Sequence, residues 1–342
     1  MKKRRILLLM HKALVPPESI EGLSEAEINP WKMEYDVRKT LRDLGHEVRV
    51  VGVEDELRPI RNAITEFEPH LCFNLLMYFH DAGVYDSAVV AWLELLKQPY
   101  SGCNPRGLLL AGDKALSKKV LAYHRIPVPR FAVFPRGRAV RKLPARLRYP
   151  LFVKSRSEHS STGIAQASIV RDEAHLRERV EFIHRTVGTG AIAEEYIEGR
   201  ELTIGVLGNQ RLVTFPVWEM TFGALPPGAP NIATSRVKWD QAYQEQVDLK
   251  TGLAQDLPAG AADSIARMAK RIYRALDLTG YARIDMRMDA DGKVWVLEAN
   301  PNPDLTYGED LSESAALAGL SYADLVQRIV SLGEAYEPAW KG

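Results

Sequence analysis

The fold of this chain is decided by residues 281–300, which read YARIDMRMDADGKVWVLEAN. Two strand patterns, 281–288 and 294–299, flank the turn sequence DADG, and this arrangement predicts a hairpin. Side chains alternate between the two faces of a strand, so Arg283 and Asp285 share one face. The apolar residues between them then point into a core.

Polar side chains on both strands of this hairpin predict a site. Glu298 and Asn300 are two residues apart and share a face, so they can meet Asp285 as an all-oxygen cluster. Hard cations such as Mg²⁺ prefer such ligands, usually with phosphate oxygens completing the shell. Arg283 adds a fork-shaped donor for a phosphate or an oxyanion. The alternative is a solvated face with an ion pair, but the stiff Asn-Pro-Asn-Pro run that begins at Asn300 favours a site.

Composition excludes several classes of protein. The chain has 342 residues, of which 46% are hydrophobic, enough for two or three packed modules. Lys+Arg (45) and Asp+Glu (44) nearly cancel, which gives no overall reason to expect a nucleic-acid or membrane partner. Cys72 and Cys103 have no metal spacing and are expected to be reduced thiols. The apolar run 6–10 is too short for a signal peptide, so we expect a first strand and a cytoplasmic protein.

The first hundred residues alternate strand and helix patterns. This order predicts a parallel, Rossmann-like sheet, although no GxGxxG follows the first strand and no dinucleotide site is inferred. The expected strands are 6–10, 46–53 and 70–75, and the expected helices are 31–44, 57–67 and 85–96.

The rest of the chain predicts further strands and helices. Strands are expected at 131–134, 151–154, 164–170, 191–197, 201–207 and 212–218, and helices at 108–123, 172–187 (with Asp172 as N-cap), 262–276 and 322–332. Loops are expected at 15–30, 155–163 and 223–230.

Two lysines stand out from the rest. Lys154 ends an apolar strand just before a loop of small residues, through which backbone N–H groups can approach phosphates. Lys114 begins a helix after Gly112 and Asp113. Lys118 and Lys119, farther along that helix, are expected to be solvated. No Walker sequence is present.

Acids also cluster where two strands meet. Glu194 and Glu195 end one apolar strand and Glu201 opens the next. Such acids can bind an adenine amino group or ribose hydroxyls, although a charged turn explains them equally well.

In this order, these segments resemble the ATP-grasp superfamily, and more closely its D-alanine–D-alanine ligase branch. The resemblance covers residues 73–329. Its carriers are Phe73-Asn74-Leu75, Pro99-Tyr100-Ser101-Gly102, Asp113-Lys114 with Lys118, Lys154 with Ser160-Ser161-Thr162-Gly163, residues 194–203 (EEYIEGRELT), Ala282-Arg283-Ile284-Asp285 and Glu298-Ala299-Asn300.

The resemblance implies an architecture and an activity. The fold would be α/β (α+β): a Rossmann-like domain (1–103), an ATP-grasp central lobe (104–198) and an ATP-grasp catalytic lobe (199–342). The activity would be that of an ADP-forming carboxylate–amine ligase, acting on a small amino acid or natural-product carboxylate through an acyl phosphate. Its partners would be small-molecule carboxylate and amine substrates, with a homodimer suggested by analogy.

The resemblance also implies a role for each matching residue. Lys114 and Lys154 would contact the ATP phosphates, and Asp285, Glu298 and Asn300 would hold two Mg²⁺ ions, with Mn²⁺ as a substitute. Arg283 would stabilise the oxyanion, and Lys238 matches a lysine near the γ-phosphate. The remaining assignments are Glu194 to the adenine amino group, the backbone of Glu195 and Ile197 to the adenine edge, Glu201 to the ribose, and Ser160, Ser161 and Gly163 to a mobile loop over the phosphates.

Three departures from the D-alanine–D-alanine ligases point to a different substrate. The Gly-Gly-x-Ser-x-Glu segment after the first strand is missing, and Glu18 and Glu34 are the two candidates for its glutamate. Asp304 stands where the family has a glycine, and Trp239 where it has a tyrosine. The alternatives are a genuine D-alanine–D-alanine ligase, a non-catalytic ATP-binding protein, or a carboxylase that uses bicarbonate; carboxylases of this type are typically longer.

Overall fold

The structure, a computed structural model, describes residues 2–138, 140, 143–158, 161–226 and 230–338. Its strands are β1 (Arg5–His11), β2 (Glu47–Val53), β3 (Leu71–Asn74), β4 (Phe131–Phe134), β5 (Leu151–Ser155), β6 (Ile169–Val170), β7 (Ala191–Glu195), β8 (Arg200–Leu207), β9 (Val213–Thr214), β10 (Trp218–Phe222), β11 (Leu249–Leu253), β12 (Tyr281–Met288) and β13 (Val294–Pro301).

Twelve α-helices lie between and after these strands in the described part of the chain. They are α1 (Glu25–Ile28), α2 (Lys32–Asp43), α3 (Arg58–Phe67), α4 (Asp86–Leu95), α5 (Pro105–Gly112), α6 (Lys114–Tyr123), α7 (Glu173–Phe182), α8 (Ser235–Trp239), α9 (Gln241–Gln246), α10 (Ala261–Ala275), α11 (Asp310–Leu317) and α12 (Tyr322–Ala335).

The first sheet is parallel, in the order β2-β1-β3, which confirms the Rossmann-like prediction. β1 is its central strand, and Ile6, Leu8 and Met10 are fully buried. A central parallel strand is covered on both faces, which explains its continuous apolar run. Cys72 and Cys103 are buried, unpaired thiols, and burial raises the pKa of each to about 12.

The second sheet is antiparallel, in the order β4-β7-β5-β6, and α7 follows its shortest strand. Asp172 is the N-cap of α7, as predicted, and accepts a hydrogen bond from the His175 N–H at 2.9 Å. The predicted strand 164–170 is wrong except for β6. Arg179 on α7 binds the carbonyl of Gly163 and the hydroxyl of Ser168, and this contact folds the segment onto the helix instead.

The predicted helix 108–123 is also wrong as a single element, because it is two helices that meet at Asp113. Asp113 is extended (φ −91°, ψ 99°), and its carboxylate accepts from the N–H groups of Ala115 and Leu116. An aspartate stabilises a helix as N-cap and destabilises its interior, so the chain breaks there and places Lys114 at a helix start.

The third sheet is also antiparallel, in the order β11-β10-β8-β12-β13, with β9 pairing β8. The predicted hairpin partner 212–218 is mostly wrong, since β9 has two residues and β10 forms the longer pairing with β8. Strand β11 and helices α8, α9 and α11 have no counterpart in the sequence prediction, and helix α1 lies within the predicted loop 15–30. Their patterns are short, and such short elements gain most of their stability from tertiary packing.

Each sheet lies within one of the three predicted domains (1–103, 104–198 and 199–342), but other contacts cross the predicted domain boundaries. Helix α12 buries Ile329 and Val330 against Leu8 and Phe73 of the first sheet. Asn302, just after β13, accepts a hydrogen bond from the Cys103 N–H at 2.8 Å. The division of the chain into three domains therefore remains a prediction.

Candidate active site

Side chains of the second and third sheets enclose a cavity of about 160 Å³. Most of the residues assigned to the nucleotide and the reaction line this cavity together. They are Lys114, Lys154, Ser161, Glu194, Glu195, Ile197, Glu201, Lys238, Arg283, Asp285 and Glu298.

The hairpin that decides the fold contributes one wall. In the register of β12 and β13, Asp285 lies opposite Glu298 and Arg283 lies opposite Asn300. The Arg283 Nε lies 2.8 Å from Asp285 Oδ1, and Asn300 Nδ2 donates to Asp285 Oδ2 at 2.9 Å. The structure therefore brings together the four residues that the alternation of the strands predicts.

The donor atoms of this wall fit a hard cation. Asp285 and Glu298 supply carboxylate oxygens and Asn300 an amide oxygen, which is the chemistry Mg²⁺ prefers. The described residues contain no group of three or more His, Cys, Asp and Glu side chains able to hold a metal ion. Oxygens from a substrate would therefore have to complete the shell, and metal binding by these three residues remains a prediction.

Lysines form the opposite wall. Lys154 Nζ lies 2.8 Å from Glu194 Oε1 and 3.7 Å from Glu298 Oε2. Lys114 Nζ lies 3.7 Å from the same Glu298 oxygen and also donates to the Glu158 carbonyl. Both lysines are buried.

The prediction that Lys118 is solvated is wrong. Its side chain is 2% exposed, and its Nζ lies 2.7 Å from Glu194 Oε2 and donates to the Leu297 carbonyl at 2.7 Å. Lys118 is four residues from Lys114 and thus on the same helix face, a spacing from which the sequence could have predicted its position. Lys119 is exposed, as predicted.

Three lysines and two glutamates leave this buried cluster with a surplus positive charge. Burial lowers the pKa of both Lys114 and Lys118. Burial also acts to lower the pKa of Lys154, but the charges of Glu194 and Glu298 outweigh it and raise that pKa. The cluster is therefore suited to attract an anion such as a phosphate.

The small-residue loop lies beside the lysines. Ser161 has a positive φ of 58° and lines the cavity, whereas Ser160 lies outside the described residues. Gly163 lies next to it with φ 71°, and a Cβ there would come within 2.7 Å of Val187. The Ile164 carbonyl accepts from the Ser235 N–H at 3.0 Å, which attaches this loop to the helix that carries Lys238.

Arg287 is a cavity residue that the sequence analysis missed. It is 3% exposed and donates to the Tyr196 hydroxyl and the Ile197 carbonyl, each at 3.0 Å. It also donates to Glu201 Oε2 at 2.7 Å and to the Asn231 carbonyl. Strand alternation puts Arg287 on the face of Arg283 and Asp285, so the sequence contained the signal.

The segment around Ile197 offers backbone groups to a flat ring. The Glu195 N–H donates to the Arg130 carbonyl, and the described residues provide no acceptor for the Ile197 N–H. Both residues line the cavity, which is compatible with the predicted adenine edge. Both Glu194 oxygens face lysines, so its predicted contact with the adenine amino group stays a prediction.

The two glutamates considered for the missing family glutamate have different surroundings. Glu18 is exposed and pairs with Arg42 at 2.5 Å and with the buried Arg38 at 3.4 Å. Glu34 is 2% exposed, and Asp304 lies close enough to act on its charge.

Comparison with known proteins decides the family. The family model described as "D-ala D-ala ligase C-terminus" matches residues 120–331. The chain belongs to the D-alanine–D-alanine ligase family. It is 32% identical over 303 residues to a D-alanine–D-alanine ligase of Bordetella avium, covering 86% of this chain and 87% of the relative.

Solved structures agree on the fold. A D-alanine–D-alanine ligase of Bacillus anthracis complexed with ATP superposes with a TM-score of 0.72 at 23% identity, covering 96% of this chain and 97% of that one. The VanG D-Ala:D-Ser ligase of Enterococcus faecalis superposes with a TM-score of 0.69 at 19% identity, covering 97% and 100%. The protein is thus an ADP-forming carbon–nitrogen ligase of the ATP-grasp type, a family that uses ATP and a divalent metal.

Proposed function

We propose that this ligase phosphorylates a small amino-acid or natural-product carboxylate and joins the resulting acyl phosphate to an amine. The observation that carries the proposal is the meeting of the lysine cluster with Arg283, Asp285 and Glu298 in one cavity. A carboxylate and ATP are both anions, so their reaction needs surplus positive charge along the line of attack.

The residues divide the chemistry between them. Lys114 and Lys154 bind the phosphates and hold the γ-phosphate in line with the attacking carboxylate oxygen. Arg283 stabilises the oxyanion that forms when the amine attacks the acyl carbon. Asp285, Glu298 and Asn300 would hold Mg²⁺, which when bound supplies positive charge against the phosphate oxygens. The loop at Ser161 and the attached helix of Lys238 limit the entry of water, which would hydrolyse the acyl phosphate.

D-alanyl-D-alanine synthesis is the second candidate, because the relatives carry that name. Asp304, which stands where the family has a glycine, favours a different acceptor, and its charge acts on Glu34. No helix in the described part of the chain is both long enough and apolar enough to cross a membrane. A cytoplasmic location and a homodimer remain predictions.

Hydroxylamine trapping tests the proposal without knowledge of the amine. The protein is incubated with Mg·ATP, hydroxylamine and a pool of amino acids that includes D-alanine, and products are analysed by mass spectrometry. We expect ADP, phosphate and one acyl hydroxamate, whose mass identifies the carboxylate. D-alanyl-D-alanine as the main product without hydroxylamine would favour the second candidate.

Variants of two arginines provide the matched control. Arg283→Ala should lower the rate of amide formation, measured without hydroxylamine, by about 10²- to 10³-fold, while ATP still binds. Arg274→Ala, on an exposed position of α10, should leave it unchanged. ATP binding without any ADP release by the wild-type protein across broad carboxylate pools would favour a non-catalytic role.

A further inference from the structure

Strand β12 places two arginines at different positions along the cavity. Arg287, with the Ile197 carbonyl and Glu201, marks the end proposed for the base and ribose. Arg283 is four residues earlier on the same face, which is about 13 Å along a strand. The amine must therefore approach from beyond Arg283, on the side away from Arg287.

A series of acids begins at this end. Asp310 lines the cavity and lies close enough to Arg283 to act on its charge. Burial raises the pKa of its neighbour Glu309, and Asp304 and Asp310 raise it further. Negative charge thus extends from the cavity wall to Asp304.

Helix α2 adds two more acids to this series. The Tyr307 N–H donates to Asp36 Oδ2 at 3.1 Å, and Lys32 Nζ donates to the Tyr307 carbonyl at 3.4 Å. These contacts hold the start of α2 against the segment that follows β13. Glu34, on the same turn, lies close enough to Asp304 for the charge of Asp304 to act on it.

One carboxylate oxygen of Glu34 is a buried acceptor without a hydrogen bond among the described residues. Glu34 is 2% exposed, and its Oε1 has no hydrogen-bond partner among the described residues. A buried, unpaired carboxylate oxygen is costly, so its presence beside other acids points to a ligand that donates to it.

The cations near these acids do not offset them. Arg283 is committed to Asp285, and Lys39 lies 2.5 Å from Asp43. Among the described residues, Lys32 is the lysine whose charge acts on both Asp36 and Glu309, and it stands against five acids: Glu34, Asp36, Asp304, Glu309 and Asp310. The N-terminus of α11 stabilises Glu309 and Asp310, but it does not explain the buried Glu34.

We propose that the acceptor is a diamine or polyamine, an amine that carries a second ammonium group and no carboxylate, with that ammonium bound between Glu34 and Asp304. A carboxylate on the acceptor, as in D-alanine, would be repelled by the same acids. This identification of the acceptor rests on the ligase chemistry proposed above.

The reaction balances with such an acceptor. The amine nitrogen forms the C–N bond as the bond from the acyl carbon to the phosphate oxygen breaks. The reacting ammonium keeps one proton as the amide N–H, passes one to the departing phosphate and releases one to solvent. The second ammonium group is unchanged and serves only to bind.

Calorimetric binding of two probes tests the proposal without turnover. The protein is saturated with Mg²⁺ and a non-hydrolysable ATP analogue and titrated with 1,4-diaminobutane or n-butylamine. We expect the diamine to bind at least about tenfold more tightly than n-butylamine, since one charged contact is worth about that much. Glu34→Gln and Asp304→Asn should each weaken diamine binding by about tenfold and leave n-butylamine unchanged.

Glu313→Gln is the matched control, because Glu313 is an exposed acid on the same helix as Asp310. It should leave diamine binding unchanged. Diamine binding no tighter than that of n-butylamine, or diamine binding that survives both substitutions in folded variants, would overturn the proposal. Hydroxylamine trapping reports separately on acyl phosphate formation, so a failure of the ligase proposal would be recognised as such.

Discussion

Lys118 Nζ lies 2.7 Å from Glu194 Oε2, and the two side chains are only 2% and 3% exposed. Lys154 lies on the other oxygen of the same carboxylate at 2.8 Å. Glu194 therefore connects helix α6 to strand β5 and fixes the separation of two lysines. Through this carboxylate, the shape of the phosphate site depends on a lysine that does not line the cavity.

Lys118→Met should lower the free energy of unfolding by about 3 kcal/mol, because it leaves Glu194 buried with one partner fewer. It should also raise the KM for ATP, since Lys154 would be drawn toward the unpaired carboxylate. Urea unfolding and initial-rate kinetics measure the two effects. Lys119→Met, one residue along on the exposed face, should change stability by less than about 0.5 kcal/mol; equal effects of the two substitutions would contradict the role of Lys118.

The sequence predicts best where one repeating pattern covers a whole element. The alternation of β12 and β13 placed Arg283, Asp285, Glu298 and Asn300 on one face, and the structure pairs them as expected. The apolar run 6–10 likewise predicted a first strand, and β1 is that strand in the parallel sheet. In both cases burial of one strand face, or of both, enforces the pattern that the sequence displays.

The sequence predicts poorly where distant side chains decide the local structure. Residues 164–168 have strand-like composition, yet Arg179 binds Gly163 and Ser168, and residues 166–168 form a short 3-10 helix. Lys118 has the pattern of a surface lysine, and only the packing of α6 against β13 buries it. The partners of Arg287 and Glu34 lie about 90 and 270 positions away along the chain. The roles of these two residues therefore depend on the fold and could not be predicted from the local sequence.

Glu34→Gln should stabilise the protein at alkaline pH. Burial, followed by the charge of Asp304, raises the pKa of Glu34 from 4.5 to about 7. Ionising Glu34 in the folded protein is therefore unfavourable, and the free energy of unfolding falls as the pH rises from about 4.5 through 7. At pH 8 the wild-type protein should be less stable than Glu34→Gln by at most about 3 kcal/mol, taking 1.36 kcal/mol per unit.

Thermal or urea unfolding of both proteins at pH 4 and pH 8 checks this prediction. The difference should be small at pH 4, where Glu34 is protonated in the folded and the unfolded states. A pH-independent difference would mean that Glu34 stabilises or destabilises the fold by its shape and not by its charge.

Glu298→Gln should increase the Mg²⁺ concentration needed for ATP binding by about tenfold or more, because one of three oxygen ligands loses its charge. The same substitution removes the negative charge that lies 3.7 Å from both Lys114 and Lys154. Both lysines can then attract the phosphates more strongly, so ATP affinity should partly recover at saturating Mg²⁺. Calorimetric ATP titrations over a range of Mg²⁺ concentrations separate the two effects. Asp291→Asn, in the exposed turn of the same hairpin, is the control and should match the wild-type protein; an unaltered Mg²⁺ dependence in Glu298→Gln would remove Glu298 from the ligand set.

Arg287→Met should raise the KM for ATP by about tenfold and change kcat by less than about threefold. Arg287 donates to Glu201 and to the Ile197 carbonyl, so its removal frees the carboxylate proposed to bind the ribose and loosens the segment proposed to bind the base. The rise in KM should be smaller with 2′-deoxy-ATP, because its deoxyribose has one hydroxyl fewer for Glu201 to bind. Arg274→Met serves as the control on an exposed helix position. An equal rise in KM for ATP and 2′-deoxy-ATP would mean that Arg287 acts on the base-binding segment alone, and a fall in kcat with KM unchanged would exclude both roles.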